Sequence, residues 1–242
     1  MHIAKNYKYL LWDIDGTILD FKAAEKAAIR RLFGEFGLGI CTDEMIARYS
    51  QINDRYWKAL ERGEMTKPEI LTSRFLEFFQ TEGISGDKTA DNPDSGKTDR
   101  QLAEAFNAAY QPALGDTIVF CEKAREILEA QRAEHCLIAV TNGTRTAQEK
   151  KLANAGLTSV FHHIYISDII GAEKPSREFF DHVFRDAGIH DPAQALIIGD
   201  SLTSDIRGAE NAGIDSCWYN PGQQSNTTAI HATYEIHSLS EL

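Results

Sequence analysis

Residues 10–20 read LLWDIDGTILD. An apolar run delivers two aspartates, Asp13 and Asp15, one residue apart, and a glycine follows at once. Carboxylates this close are costly to bury and raise one another's pKa. The stretch is therefore either a strand closing in an ordinary Asp-Gly turn or a strand whose end carries chemistry. Three later segments decide between the two.

Apolar runs at 9–14, 136–141, 163–167, 195–199 and 215–219 show little alternation, which suits strands of a parallel sheet covered on both faces. Between the later runs lie helical patterns, 144–155, 176–187 and 205–212, each followed by a glycine that can take the left-handed closing conformation. Strand, helix and glycine in repeated order predict βαβ units and an α/β fold: a doubly wound parallel sheet of Rossmann-like form. The segment 21–114 differs, with helical periodicity and no convincing strand. Ile29, Leu32, Phe33 and Phe36 share one face. Tyr49, Ile52, Tyr56 and Leu60 share a second, and Leu71, Phe75, Phe78 and Phe79 a third. A fourth helix is expected over 100–110, and the polar stretch 83–99 reads as an exposed loop. The predicted organisation is an α/β core made of 1–20 and 115–242, with an all-helical cap domain, 21–114, inserted after the first strand.

In doubly wound sheets, functional groups gather at the carboxyl ends of the strands. Asp13 and Asp15 close the first strand, and Thr141-Asn142-Gly143 closes the second. Lys174 follows the third, just before Pro175 and a helix. Asp200 follows the fourth, with Asp205 entering the next helix. Each has a bland reading: Asn142-Gly143 as a turn, Asp205 as a carboxylate favoured by a helix N-terminus. Four such segments in order, each at a strand end, outweigh those readings. Asp13, Asp15, Asp200 and Asp205 crowded against Lys174 cannot all ionise without a cation. Oxygen ligands without His or Cys select Mg²⁺ over Zn²⁺, and Mg²⁺ commonly shares a substrate phosphate. Thr141, Asn142 and Lys174 then offer donors to the phosphate oxygens.

These segments resemble the four motifs of the haloacid dehalogenase-like (HAD) hydrolase superfamily: Asp13-Ile14-Asp15-Gly16-Thr17, Thr141-Asn142-Gly143, Lys174-Pro175, and Gly199-Asp200 with Asp205. The helical insertion resembles that superfamily's C1 cap. The stretches ISDIIGAEKPSREFFDHVFRDAG and GDSLTSDIRGAENAGIDSCW are similar to its YjjG-type pyrimidine 5′-nucleotidase branch. The resemblance implies a Mg²⁺-dependent phosphatase acting through an aspartyl-phosphate. In it Asp13 is the nucleophile and Asp15 the general acid and base. Asp13, the Asp15 main-chain carbonyl and Asp200 hold the metal with Asp205 in support, while Thr141 and Lys174 neutralise the phosphoryl oxygens. A nucleoside 5′-monophosphate is the expected substrate, with a sugar phosphate or other metabolite phosphate as the alternative and a phosphomutase behind that. A metal-independent haloacid dehalogenase, which attacks carbon, lacks the second aspartate that Asp15 supplies. Phe21 and Lys22 beside the first motif, and Asn53 and Trp57 one helical turn apart in the cap, are the candidates for reading the leaving group.

The remaining composition bounds this reading. A net charge of −11 over 242 residues opposes nucleic acid or an anionic membrane as the main partner, leaving a small phosphomonoester. Cys41, Cys121, Cys136 and Cys217 form no C-x-x-C pair, so neither a disulfide framework nor a zinc site is expected. No signal-peptide core and no run of membrane-spanning length is present, so the expected location is cytoplasmic.

Overall fold

The computed structural model describes residues 3–86 and 98–242. The chain divides into two compact units, Met1–Phe21 with Ile118–Leu242, and Lys22–Thr117. Residues 87–97, which make up most of the expected loop 83–99, lie outside the described residues.

The first unit is built on parallel strands β1 (Tyr9–Trp12), β2 (Cys136–Thr141), β3 (His163–Ile166), β4 (Ala195–Gly199), β5 (Asp215–Tyr219) and β6 (Tyr234–Ile236) in the order β3-β2-β1-β4-β5-β6. β1 is flanked by both β2 and β4, with Leu11 opposite Ile138 on one side and Ile197 on the other. The chain order reverses on either side of β1, and at such a switch point the crossovers diverge to opposite faces and leave a crevice beyond the strand ends. Both faces are dry, as the apolar runs required. Leu10, Trp12, Leu137, Ala139, Leu196 and Ile198 pack with Leu128 and Leu152 on one side. Leu11, Ile138, Val140 and Ile197 pack with Phe179, Phe180 and Val183 on the other.

Three local differences from the expected pattern have simple causes. β1 ends at Trp12 rather than residue 14, because beyond it only the Asp13 N–H keeps a sheet partner and the chain turns back at Gly16. β6 was not expected. It is three residues long and carries the exposed Glu235, so it lacks an apolar run, and its pairing with β5 alone forms it. Asp205 does not enter an α-helix. It sits in a single π-helical turn, Leu202–Ile206, and the α-helix that follows starts at Arg207.

The second unit packs α1 (Phe21–Glu35, its first residue belonging to the first unit), α2 (Asp43–Glu61), α3 (Lys67–Glu82) and α4 (Asp99–Ala113). Thr42, Thr66 and Thr98 cap the last three, the latter two through reciprocal capping boxes with Glu69 and Gln101, which satisfy otherwise orphaned helix N–H groups. The stripes meet in an aromatic core in which Phe75 lies 4.9 Å from Tyr49 and 5.0 Å from both Phe106 and Tyr110, centroid to centroid. Of the third stripe, Phe75, Phe78 and Phe79 are buried while Leu71 is only half-buried, and the neighbouring Ile70 is buried instead. Because Phe75 touches three rings from α2 and α4, Phe75→Ala should destabilise this unit by about 3–5 kcal/mol. A large drop in the urea midpoint of unfolding measures that loss.

Candidate active site

Each strand that brackets β1 delivers one component of the site. The main chain of Asp13 still follows the sheet, its N–H donating to the Ile198 carbonyl at 2.9 Å. Gly16, at φ +95°, then turns the chain back, and its N–H meets the Leu19 carbonyl at 2.8 Å. A Cβ on Gly16 would strike the Asp200 carboxylate. The Asp-Gly turn of the bland reading is therefore real, and it exists to let two acidic segments approach.

Lys174 is the centre of the site. It is 1% exposed, and its ammonium donates to Asp13 Oδ1 at 2.7 Å, Asp205 Oδ1 at 2.7 Å and the Val140 carbonyl at 2.9 Å. An ammonium has three donors and no acceptor, so all three are satisfied, by the loop after β1, by the turn after β4 and by β2. Burial alone would lower the pKa of Lys174, but Asp13 and Asp205 outweigh it and hold the group firmly protonated.

The backbone of Lys174 is fixed by Asn142. Both ends of its carboxamide are taken, Nδ2 donating to the Lys174 carbonyl at 2.7 Å and Oδ1 accepting from the Lys174 N–H at 2.8 Å. Asn142, expected among the phosphate donors, therefore has its side chain committed to holding the lysine loop. Thr141 is buried at the end of β2, and its Oγ1 accepts from the Gly143 N–H at 3.2 Å.

The carboxylates are arranged unequally. Oxygens of Asp13, Asp200 and Asp205 all lie within 4.8 Å of one another. Burial is the largest influence on Asp13, with Lys174 opposing it and Asp205 and Asp15 reinforcing it, and its carboxyl is raised to about 7. Asp200 reaches solvent, yet surrounding protein and then the charges of Asp13 and Asp205 push its carboxyl well above the usual range. Both oxygens of Asp205 are occupied, one by Lys174 and the other by the Ser201 N–H at 3.1 Å. Thr17, read from the sequence only as the end of the first motif, donates to Asp200 at 3.3 Å.

Asp15 faces elsewhere. Its two oxygens accept from Lys151 Nζ at 2.5 Å and Gln148 Nε2 at 2.6 Å, both on α6 (Arg145–Asn154), which follows α5 (Ala124–Gln131) and β2. Neither residue was singled out from the sequence. The signal available was two polar side chains, at i and i+3, in the stripe that also holds the buried Ala147 and Leu152. With Lys151 included, four carboxylates face two ammonium groups. The surplus is two negative charges, and the donors around it are hard oxygens. That set fits a small divalent cation held by Asp13 and Asp200, with Asp205 backing Lys174.

The cap candidates lie in different settings. Phe21 belongs to the first unit and its ring sits 4.9 Å from Lys151 Nζ. Lys22 pairs with Asp54 at 3.0 Å, and Trp57 is half-buried. Asn53 is enclosed in a polar network across the bundle. It donates to the buried Glu25 at 3.1 Å and accepts from Arg74 at 2.7 Å, and Arg74 reaches Asn107 at 3.1 Å. Ser50 also donates to Glu25.

Known proteins resemble this chain over nearly its whole length. The family model for haloacid dehalogenase-like hydrolases matches residues 10–219. HAD-hydrolase YfnB of Bacillus subtilis is 36% identical over 98% of this chain and 94% of its own. Pyrimidine 5′-nucleotidase PynA of Streptococcus pneumoniae is 34% identical over 98% and 93%, and pyrimidine 5′-nucleotidase YjjG of Escherichia coli is 26% identical over 98% and 96%. The crystal structure of YfnB, bound to magnesium, superposes with a TM-score of 0.85 over 97% of this chain and 96% of that one. The chain belongs to the haloacid dehalogenase-like hydrolases.

An acidic cluster poised for a cation destabilises the metal-free protein. The folded-state pKa of Asp200 lies above its unfolded value, so ionised Asp200 costs stability at neutral and higher pH, and the cost disappears as pH falls to the ordinary carboxylate range. Asp200→Asn should therefore melt higher than wild type in EDTA at pH 8, with the gap closing toward pH 4. Added Mg²⁺ should raise the melting temperature of wild type and leave the variant nearly unmoved. Thermal unfolding followed by circular dichroism reads all three outcomes.

Proposed function

We propose that this haloacid dehalogenase-like hydrolase is a Mg²⁺-dependent phosphomonoesterase that acts through an aspartyl-phosphate, with a pyrimidine nucleoside 5′-monophosphate as its substrate. The observation that carries the reading is the division of labour between the two motif aspartates. Asp13 is held against Lys174 inside the carboxylate cluster, while Asp15 is held apart on α6.

Asp13 attacks phosphorus, and the bond to the leaving oxygen breaks as Asp15 gives that oxygen its proton. Asp15 then takes a proton from water as the water attacks the phosphoryl group, the Asp13–phosphorus bond breaks, and Asp13 and inorganic phosphate are released. Lys174 neutralises phosphoryl oxygens and favours the ionised form of Asp13, Thr141 donates a further hydrogen bond, and Asn142 keeps the lysine loop in register. A bound Mg²⁺, held by Asp13, Asp200 and the Asp15 main-chain carbonyl, would supply electrostatic stabilisation of the phosphoryl charge. Support for the substrate class comes from the two pyrimidine 5′-nucleotidases that match nearly the whole chain. Glyceraldehyde 3-phosphate phosphatase of Methanopyrus kandleri, 27% identical over 86% of this chain, keeps a metabolite phosphate in the comparison.

Hydrolysis of p-nitrophenyl phosphate should require Mg²⁺ and vanish with EDTA, and full activity after chelation would refute the mechanism. Asp13→Asn should abolish turnover. Asp15→Asn should lower kcat by ~10²–10⁴-fold on an alkyl phosphate. In a substrate panel, pyrimidine nucleoside 5′-monophosphates should show higher kcat/KM than purine nucleotides and sugar phosphates. A sugar phosphate as the best substrate would retain the mechanism and replace the nucleotide assignment.

A further inference from the structure

We infer that Lys151 and Gln148 are positioning residues for Asp15: a two-pronged clamp on α6 that fixes the orientation of the acid–base carboxylate. The inference rests on the acid–base role proposed for Asp15.

Three observations carry it. Lys151 and Gln148 stand one helical turn apart, and each takes a different oxygen of Asp15, at 2.5 Å and 2.6 Å. A carboxylate gripped at both oxygens from one rigid helix loses its rotational freedom about the Cβ–Cγ bond. Misplacement by about 1 Å in a reacting group can cost 10²-fold.

The second observation is that burial of these side chains is poorly explained by stability. Both are almost fully enclosed. Gln148 keeps a buried Oε1 without a partner, a defect that costs stability. An apolar residue in that stripe would avoid the cost. Long polar side chains occupy it, and both donate to Asp15. Lys151 is walled by the Phe21 ring at 4.9 Å, which attracts the cation and leaves the ammonium directed at Asp15.

The third is the glycine of the second motif. A Cβ on Gly143 would strike the Gln148 side chain. The missing side chain at 143 makes the space through which Gln148 reaches Asp15, so the turn after β2 is shaped around the clamp as well as around Lys174.

The experiment uses full-length enzyme with saturating Mg²⁺ and two substrates, uridine 5′-monophosphate and 2,4-dinitrophenyl phosphate. The first has a leaving group that must be protonated, and the second does not. kcat/KM reports the phosphorylation half-reaction, so a defect in acid placement should fall on the first substrate only. Lys151→Met should lose about 10–100-fold in kcat/KM on uridine 5′-monophosphate and stay within about threefold on dinitrophenyl phosphate. On the latter it should show a burst of dinitrophenolate, because hydrolysis of the phospho-enzyme still needs Asp15 as a base. Lys151→Arg should recover part of the loss, and Gln148→Met should repeat the pattern with an unchanged circular dichroism spectrum. In an Asp15→Asn background, Lys151→Met should cost nothing further. Equal losses on both substrates, or undiminished losses in the Asp15→Asn background, would make the clamp a packing feature and overturn the inference. If Asp15→Asn alone shows no preference between leaving groups, the acid–base assignment itself is wrong, a failure that this control separates from failure of the clamp.

Discussion

One buried ammonium holds the site together. Lys174 Nζ binds a carbonyl of β2, a carboxylate from the loop after β1 and a carboxylate from the turn after β4. Three parts of the chain far apart in sequence are thereby fixed to one point. Removing a lysine from water is expensive, and only satisfaction of all its donors by charged or strongly polar partners makes that tolerable. The arrangement has a direction. Asp205 has both oxygens engaged and serves Lys174, whereas Asp200 is left among like charges and open to solvent. The charge that Lys174 cannot neutralise therefore collects on the solvent-facing side of the cluster, at Asp200.

The glycines of the motifs are better understood as spaces than as flexible joints. A Cβ at Gly16 would strike Asp200, at Gly143 it would strike Gln148, and at Gly199 it would strike Asp205. Asp200 comes from a distant segment, Gln148 and Asp205 from a few residues beyond their glycines, and all three side chains belong to the polar centre. Gly143 and Gly199 have no left-handed backbone to explain them, so close approach is the whole reason for their residue type. The sheet brings the strand ends together at the switch point, and these gaps let the functional groups close the remaining few ångströms.

The sheet and the four-motif site were legible because they rest on short-range signals. Fully apolar strands, helices ending in glycine, and carboxylates at strand ends are visible one segment at a time. What escaped depends on distant partners. β6 is defined by its neighbour β5 and not by its own polarity. The π-helical turn around Asp205 follows from anchoring that carboxylate on Lys174 and Ser201, and no pattern in the residues 201–206 states it. Asn142 in a strand-end motif looks like a donor for phosphate, and its engagement with the Lys174 backbone is apparent only when the loop after β3 is in place. Lys151 and Gln148 left a trace, two polar residues in a buried stripe, but a helix surface tolerates such positions too often for the trace to be decisive.

Alternation along an extended chain sends neighbouring side chains to opposite faces, and residues two apart to the same one. Asp13 and Asp15 would share a face if β1 continued through them. It stops at Trp12, and the turn at Gly16 frees the second aspartate from the register of the first. Asp13 stays with the sheet through its N–H to Ile198 and meets Lys174, while Asp15 is carried over to α6. Two carboxylates that would otherwise compete for one proton are thus given separate counter-ions, Lys174 for one and Lys151 for the other. The early end of β1 gives the two aspartates these different partners, Asp13 at the sheet edge with Lys174 and Asp15 at α6 with Lys151.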